Sequence, residues 1–342
     1  MLKKIFAVSM VFILVSFGRK HKEPLTTIAF GSCDHQYNPN KLWEEINAEN
    51  PQLFIWGGDI VYGDTYNMDT LKHKYDLQKS HPGYQKLLAN SMITGTYDDH
   101  DYGVNDGGKN YPLKKESRDI LFDFLGVKKK DKARKKEGAY STYTYGPKGK
   151  QVKVLNLDTR YFRDSLEKEK FINPNTNKEE TRFKVVEGRD ILGEEQWAWL
   201  EKELKNSKAE INLINSSIQV ISSEHAFEKW ANFPTAQKRL YDVIASSNAK
   251  RVMILSGDRH IAELSKIQLE GMDYPLYDLT SSGLTHTWSV YKPEANSHRV
   301  GELIAKRNYG LIKIEWKETP SVTFTICGQG REVYAEHKLE WK

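Results

Sequence analysis

Acids, histidines and a cysteine gather at four points of this 342-residue chain, each directly after a short apolar run. Phe30-Gly31-Ser32-Cys33-Asp34-His35 closes the run Thr27 to Phe30, and Gly57-Gly58-Asp59-Ile60-Val61-Tyr62-Gly63-Asp64 follows Leu53 to Trp56. Tyr97-Asp98-Asp99-His100-Asp101-Tyr102 follows Ser91 to Gly95, and Ser256-Gly257-Asp258-Arg259-His260 follows Val252 to Leu255. Three acids and a histidine in four consecutive positions, Asp98 to Asp101, repel one another unless cations lie nearby. The residue types suit a hydrolase with two metal ions: one carboxylate bridging two cations, further oxygen and nitrogen ligands, and water activated between them. Asp59 can bridge, while the thiol of Cys33 and the phenol of Tyr62 are strong donors to a highly charged ion such as ferric iron. Asp258 and His260 reach one site if their loop turns. His100 need not ligate; it can hydrogen-bond a phosphoryl oxygen or protonate a leaving alkoxide.

Such side chains meet only if the runs before them are strands of shared sheets, because ligand sites in open α/β sheets lie beyond the strands' carboxyl ends. Besides the four runs above, Val152 to Leu157, Ile211 to Ile214 and Leu311 to Glu315 read as strands. Lys41 to Asn47 and Glu194 to Lys205 carry helical periodicity, the second with acids in its first turn where the helix dipole favours them. Alternation of this kind predicts an α/β fold of layered sheets, with antiparallel strands added by Tyr309 to His337. The stretches Tyr66 to Tyr84 and Tyr161 to Arg189 carry no readable pattern and are expected as loops around the pocket.

Apolar residues make up 39% of the chain and charged residues 28%, enough for a sizeable core. Lys3 and Lys4 precede an apolar stretch from Ile5 to Phe17, so residues 1–18 read as a signal peptide for export, too short for a comfortable membrane span. Its removal takes the net charge from +5 to +3, because it holds those two lysines and no acid. Neither value argues for a particular partner. The run Lys128 to Lys136 interleaves no aromatics with base-reading side chains, so it reads as a solvated edge and not as a nucleic-acid module. Cys33 and Cys327 could pair in an oxidising compartment, but Cys33 has the competing role of metal ligand.

The pieces F-G-S-C at 30–33, G-G-D-I-V-Y-G-D at 57–64, Y-D-D-H-D-Y-G-V-N-D at 97–106, L-D-T-R at 157–160, G-E-E-Q-W-A-W-L-E at 193–201, S-G-D-R-H at 256–260 and S-S-G-L-T at 281–285 resemble the PhoD-like (alkaline phosphatase D-like) members of the metallophosphoesterases. The resemblance runs from about Thr26 to about Trp288. It implies a two-sheet sandwich flanked by helices that hydrolyses phosphate mono- or diesters. It further implies ferric iron on Cys33, Asp59, Tyr62 and His260, and calcium or another divalent ion on Asp59, Asp258 and the Asp-Asp-His segment. Within that segment Asp99 is carried over as the ligand, with Asp98 the alternative, and Gln219 is carried over as completing the shell of the second ion. Larger relatives carry a separate β-rich domain before the catalytic one; here residues 25–342 are expected to form a single catalytic domain. Position 97 is Tyr where the family pattern leads one to expect Trp.

Two readings stand for Arg160: an ion pair with Asp158 that supports the cleft, or a direct contact to the substrate phosphate. Trp197 and Trp199 read as packing residues, and His35, His225 and His286 have no spacing argument. The function expected is an exported metal-dependent phosphoesterase acting on small-molecule or phospholipid-headgroup esters. A sulfate-ester hydrolase with the same metals, or a binder of phosphorylated ligands without turnover, are its rivals.

Overall fold

The computed structural model describes residues 23–173, 177–288 and 294–341. The strands in chain order are β1 Thr27–Gly31, β2 Leu53–Gly57, β3 Met92–Thr96, β4 Ser141–Tyr145, β5 Val152–Asn156, β6 Lys168–Asn173, β7 Lys178–Phe183, β8 Ile211–Asn215, β9 Val252–Ser256, β10 Ala262–Ile267, β11 Leu276–Ser281, β12 Arg299–Ile304, β13 Tyr309–Glu315, β14 Ser321–Cys327 and β15 Val333–Lys338. The helices are α1 Trp43–Ala48, α2 Met68–Ser80, α3 Pro82–Asn90, α4 Asp99–Tyr102, α5 Lys114–Phe124, α6 Gly193–Lys205 and α7 Pro234–Ala245, with short 3-10 turns between elements.

One sheet runs in the order β15-β14-β13-β1-β2-β3 and the other β12-β10-β11-β9-β8-β5-β4, while β6 and β7 form a separate hairpin. β1, β2 and β3 are mutually parallel, as are β5, β8, β9 and β11. Period-two alternation explains the layering. Leu53 and Ile55 of β2 face Leu213, Met253 and Leu255 of the other sheet across a shared apolar layer. Phe54 and Trp56 point the other way, under Trp43, Leu71, Tyr75 and Tyr84 of the helices. On the far side, Ile214 and Ile254 pack beneath Trp197, Leu200, Leu240 and Ile244. The result is the helix–sheet–sheet–helix sandwich expected from the sequence.

At the carboxyl ends of the parallel strands the apolar layer gives way to polar stitches between the sheets. Asn215 Nδ2 donates to the Trp56 carbonyl and to Asn156 Oδ1, both at 2.9 Å. Asn156 Nδ2 donates to Thr94 Oγ1 at 2.8 Å, and Thr96 Oγ1 to the Leu157 carbonyl at 2.7 Å. Buried amides and hydroxyls satisfied in this way fix the separation of the two sheets directly below the loops that carry the acids.

Tyr66 to Tyr84 is mostly helix α2, and Tyr161 to Arg189 contains the β6–β7 hairpin, so neither stretch is the plain loop expected. Among the described residues no helix is long and apolar enough to cross a membrane. The expected signal peptide at residues 1–18 lies outside the described residues.

Candidate metal centre

The four acid-bearing loops converge because glycines let their backbones touch. Gly58 has φ +97°, and a Cβ there would lie 2.5 Å from the Asp98 Cβ. A Cβ on Gly257 would lie 2.5 Å from the Gly57 carbonyl oxygen. A third tie is Asp101, which accepts from the backbone N–H groups of Asp98 (2.6 Å) and Ile60 (2.9 Å) and from the Tyr75 hydroxyl (3.2 Å). Asp101 thus joins the loop after β2 to the loop after β3.

The donors fall into overlapping triads, each with its atoms within 4.8 Å of one another: Cys33, Asp59 and His260; Asp59, Asp99 and His100; Asp98, Asp99 and Asp258. Asp59 and Asp99 are each shared by two triads, which is the arrangement a pair of neighbouring cations requires. Tyr62 joins the first triad, its hydroxyl 3.0 Å from His260 Nε2. Both Asp98 and Asp99 sit among the donors, so the structure gives each a place. The Gln219 amide nitrogen donates to Glu263 at 2.7 Å and to Thr280 at 2.9 Å, while its Oε1 is buried with no hydrogen-bond partner among the described residues.

The chemistry of the donor set fits cations. Asp59 Oδ1 and Asp98 Oδ2 are buried and have no hydrogen-bond partner among the described residues, a costly state that a bound ion relieves. Burial, then the charge of Asp99, pushes the Asp59 carboxyl well up, and burial with the charges of Asp59 and Asp258 pushes the Cys33 thiol up. A positive ion at this point inverts both tendencies. Burial, then the neighbouring His286 and His100, lowers His260 to about 3, which leaves the neutral imidazole that metals bind. Cys33, Asp59, Asp258 and His260 all adopt left-handed backbone, with φ between 46° and 67°. Strained conformations of this kind gather where side chains must be aimed at a site.

His100 stands at the rim with its Nδ1 2.8 and 2.9 Å from the two Asp64 oxygens and its ring 4.3 Å from that of Tyr62. Burial alone would lower it, but the Asp64 contact and the charges of Asp59 and Asp99 carry it up to about 10. Arg160 is fully buried. Its Nε donates to Asp98 Oδ1 at 2.7 Å and its Nη1 to Glu228 Oε2 at 2.7 Å, and Glu228 in turn meets Arg163 Nε at 3.0 Å. The expected Arg160–Asp158 side-chain pair is therefore replaced by a different one. Asp158 accepts from the Tyr97 hydroxyl at 2.5 Å and from the backbone N–H groups of Ala139, Arg160 and Tyr161. Tyr97 earns its place through that hydroxyl.

Sequence reasoning missed Asp64, Glu228 and Arg163 as supports, and also His286, whose Nε2 lies 3.1 Å from the Tyr62 hydroxyl. His35 stacks on Tyr62 at 5.1 Å. Asp64 and His35 end quoted motifs, so their positions were a signal; Glu228 and Arg163 gave none. Cys33 and Cys327 are both free, with Cys327 in the helix-covered core outside the first sheet. Trp197 and Trp199 are packing residues: Trp197 is buried and donates to Asp190, and Trp199 lies 4.8 Å from Tyr140.

Residues 28–286 match the model of the PhoD-like phosphatase family. The chain belongs to that family. Alkaline phosphatase D of Bacillus subtilis (strain 168) is 28% identical over 140 residues, a stretch that spans 38% of this chain and 22% of that protein. The solved structure of PhoD superposes with a TM-score of 0.65 at 16% identity, covering 94% of this chain and 72% of the other. A dimetal phosphatase from Danio rerio superposes with a TM-score of 0.54 at 14% identity over 94% of this chain and 100% of its own. These two likenesses establish the shared fold.

Proposed function

We propose that this PhoD-like protein is an exported phosphoesterase that hydrolyses phosphate mono- or diesters at a two-metal centre. The observation that carries the reading is the set of overlapping donor triads, linked through Asp59 and Asp99. Cys33, Asp59, Tyr62 and His260 would hold one ion, with ferric iron suited to the thiol and phenol donors. Asp59, Asp99, Asp98 and Asp258 would hold the second, calcium or another divalent ion taking such an oxygen-rich set. Export is supported by the charged-then-apolar pattern of residues 1–18.

When bound, the ions would supply Lewis acidity toward the phosphoryl oxygens and an activated water. The protein's own residues do the rest. Asp64 holds His100 through Nδ1, which leaves Nε2 to hydrogen-bond a phosphoryl oxygen and deliver a proton to the departing alkoxide. Arg160 acts as a positioning residue, fixing Asp98 among the donors. The test pairs metal analysis with hydrolysis of a chromogenic phosphate monoester and its diester by protein from Arg19 onward, with and without chelator. Bound metal and chelator-sensitive turnover that is lost in Asp59→Ala are expected. Normal turnover by that variant would sink the proposal.

A further inference from the structure

Beside the metal centre stands a pair of aromatic rings that the reaction described above does not use. Phe227 comes from the segment after β8 and Trp288 from the segment after β11, yet their rings lie 5.4 Å apart. Phe227 is 38% exposed and Trp288 42% exposed. Single exposed apolar side chains are ordinary; two that touch and stay in water beside a catalytic centre call for an occupant. The Trp288 ring lies 5.6 Å from that of the candidate ligand His260.

The pair is built to stay in place. Trp288 Nε1 donates to the Arg259 carbonyl at 2.9 Å, which ties the indole to the loop carrying Asp258 and His260. The guanidinium of Arg259, itself buried and held by Glu294, covers one face of Phe227 at 4.2 Å. That cation packs against the ring, the His225 ring lies 6.3 Å away, and Phe227 still keeps more than a third of its surface in water. Rigid aromatic surfaces of this kind favour flat π-systems, which meet them in offset-stacked or tilted arrangements.

We infer that Phe227 and Trp288 form a specificity wall for phosphate esters whose organic group carries a flat aromatic ring a short tether from phosphorus. The inference rests on the phosphoesterase reading: with His260 among the donors, the Trp288 ring 5.6 Å from it calls for a short tether between phosphorus and the aromatic ring. Two ligand pairs test it on metal-loaded protein. Binding of 2-phenylethylphosphonate and 2-cyclohexylethylphosphonate is measured calorimetrically, and hydrolysis of the corresponding phosphates is measured alongside. The two rings bury comparable apolar area and the leaving alcohols are matched, so the ratio within each pair reports the aromatic contact. Loss of fold or metal depresses both members together. The wild type should prefer the phenyl ligand by about five- to tenfold, and Phe227→Ala and Trp288→Leu should each bring the ratio toward one. Equal binding of both ligands, or a preference surviving both substitutions, overturns the wall. A binding preference without turnover of either phosphate supports the wall and overturns the catalytic reading. Failure of both phosphonates to bind overturns the wall, and absence of turnover of both phosphates beside it overturns the catalytic reading as well.

Discussion

Replacing Arg160 with Met separates the two roles considered for that residue. Arg160 is buried between Asp98 and Glu228, and Arg163 closes the set, so two cations offset two carboxylates away from water. Removing one partner of a buried pair costs about 3–5 kcal/mol, because the remaining charge stays desolvated. Ser217 still donates to Asp98 at 2.6 Å, and Arg163 still meets Glu228, which favours the lower half of that range. At about 2.1 cal/mol/K per residue, a chain of 342 residues has an unfolding entropy near ~0.7 kcal/mol/K. The expected loss in chelator-treated protein is then about 4–6 °C in Tm. Because Arg160 orients a candidate ligand, affinity for the second ion should fall about 10–100-fold. KM at saturating metal should hold. Adding Glu228→Gln removes a carboxylate left over by the first change, so the double variant should lose less stability than the two single losses together. Scanning calorimetry in chelator, metal titration and steady-state kinetics read these quantities. A KM raised tenfold or more with Tm and metal affinity unchanged would refute the positioning role and put Arg160 on the phosphate.

Asp59→Asn should strip the centre of metal and lower hydrolysis at least about a hundredfold; elemental analysis showing full occupancy would remove Asp59 from the bridging position. Leu213→Ala opens a hole in the layer between the sheets, where Leu213 is fully buried, and should cost about 2–5 kcal/mol in urea unfolding, whereas a loss under about 1 kcal/mol would mean that the sheets close over it. Burial, then Arg259 and Arg182, lowers Lys229 to about 7, while an unfolded lysine titrates near ~10.4. Between those values the unfolded chain binds a proton that the folded chain does not, so stability contributed by this group rises with pH from about 7 toward 10. Lys229→Met should flatten that slope, and an identical pH dependence of the urea midpoint in the variant would show that Lys229 is not its source.

The strands that carry the donors were legible because each is a short apolar run ended by glycine or a polar cluster. Val252 to Leu255, for example, differs from β9 only by the addition of Ser256. β6 and β7 escaped notice because half or more of their residues are charged, Lys168-Glu169-Lys170 and Lys178-Glu179-Glu180 among them, and only Phe183 is buried. Helix α2 has a weak apolar stripe, with Leu71, Tyr75 and Gln78 its buried residues, so its sequence reads as polar loop. At the site, the ligand candidates announced themselves by type and place. The supports did not, since Arg160 reaches Asp98 across 62 positions and Glu228 across 68. Such pairings follow from loop geometry that no local pattern encodes.

The left-handed backbone at Cys33, Asp59, Asp258 and His260 sets stability against use. Each of these positions would be more comfortable as glycine, which enters that region without a clash of its Cβ. A search for heat-resistant variants made without a demand for activity should therefore drift toward glycine at these points, easing the loops and discarding the ligands. Only a selection that reads turnover would keep them, which makes their persistence in an evolving population a record of the chemistry and not of the fold.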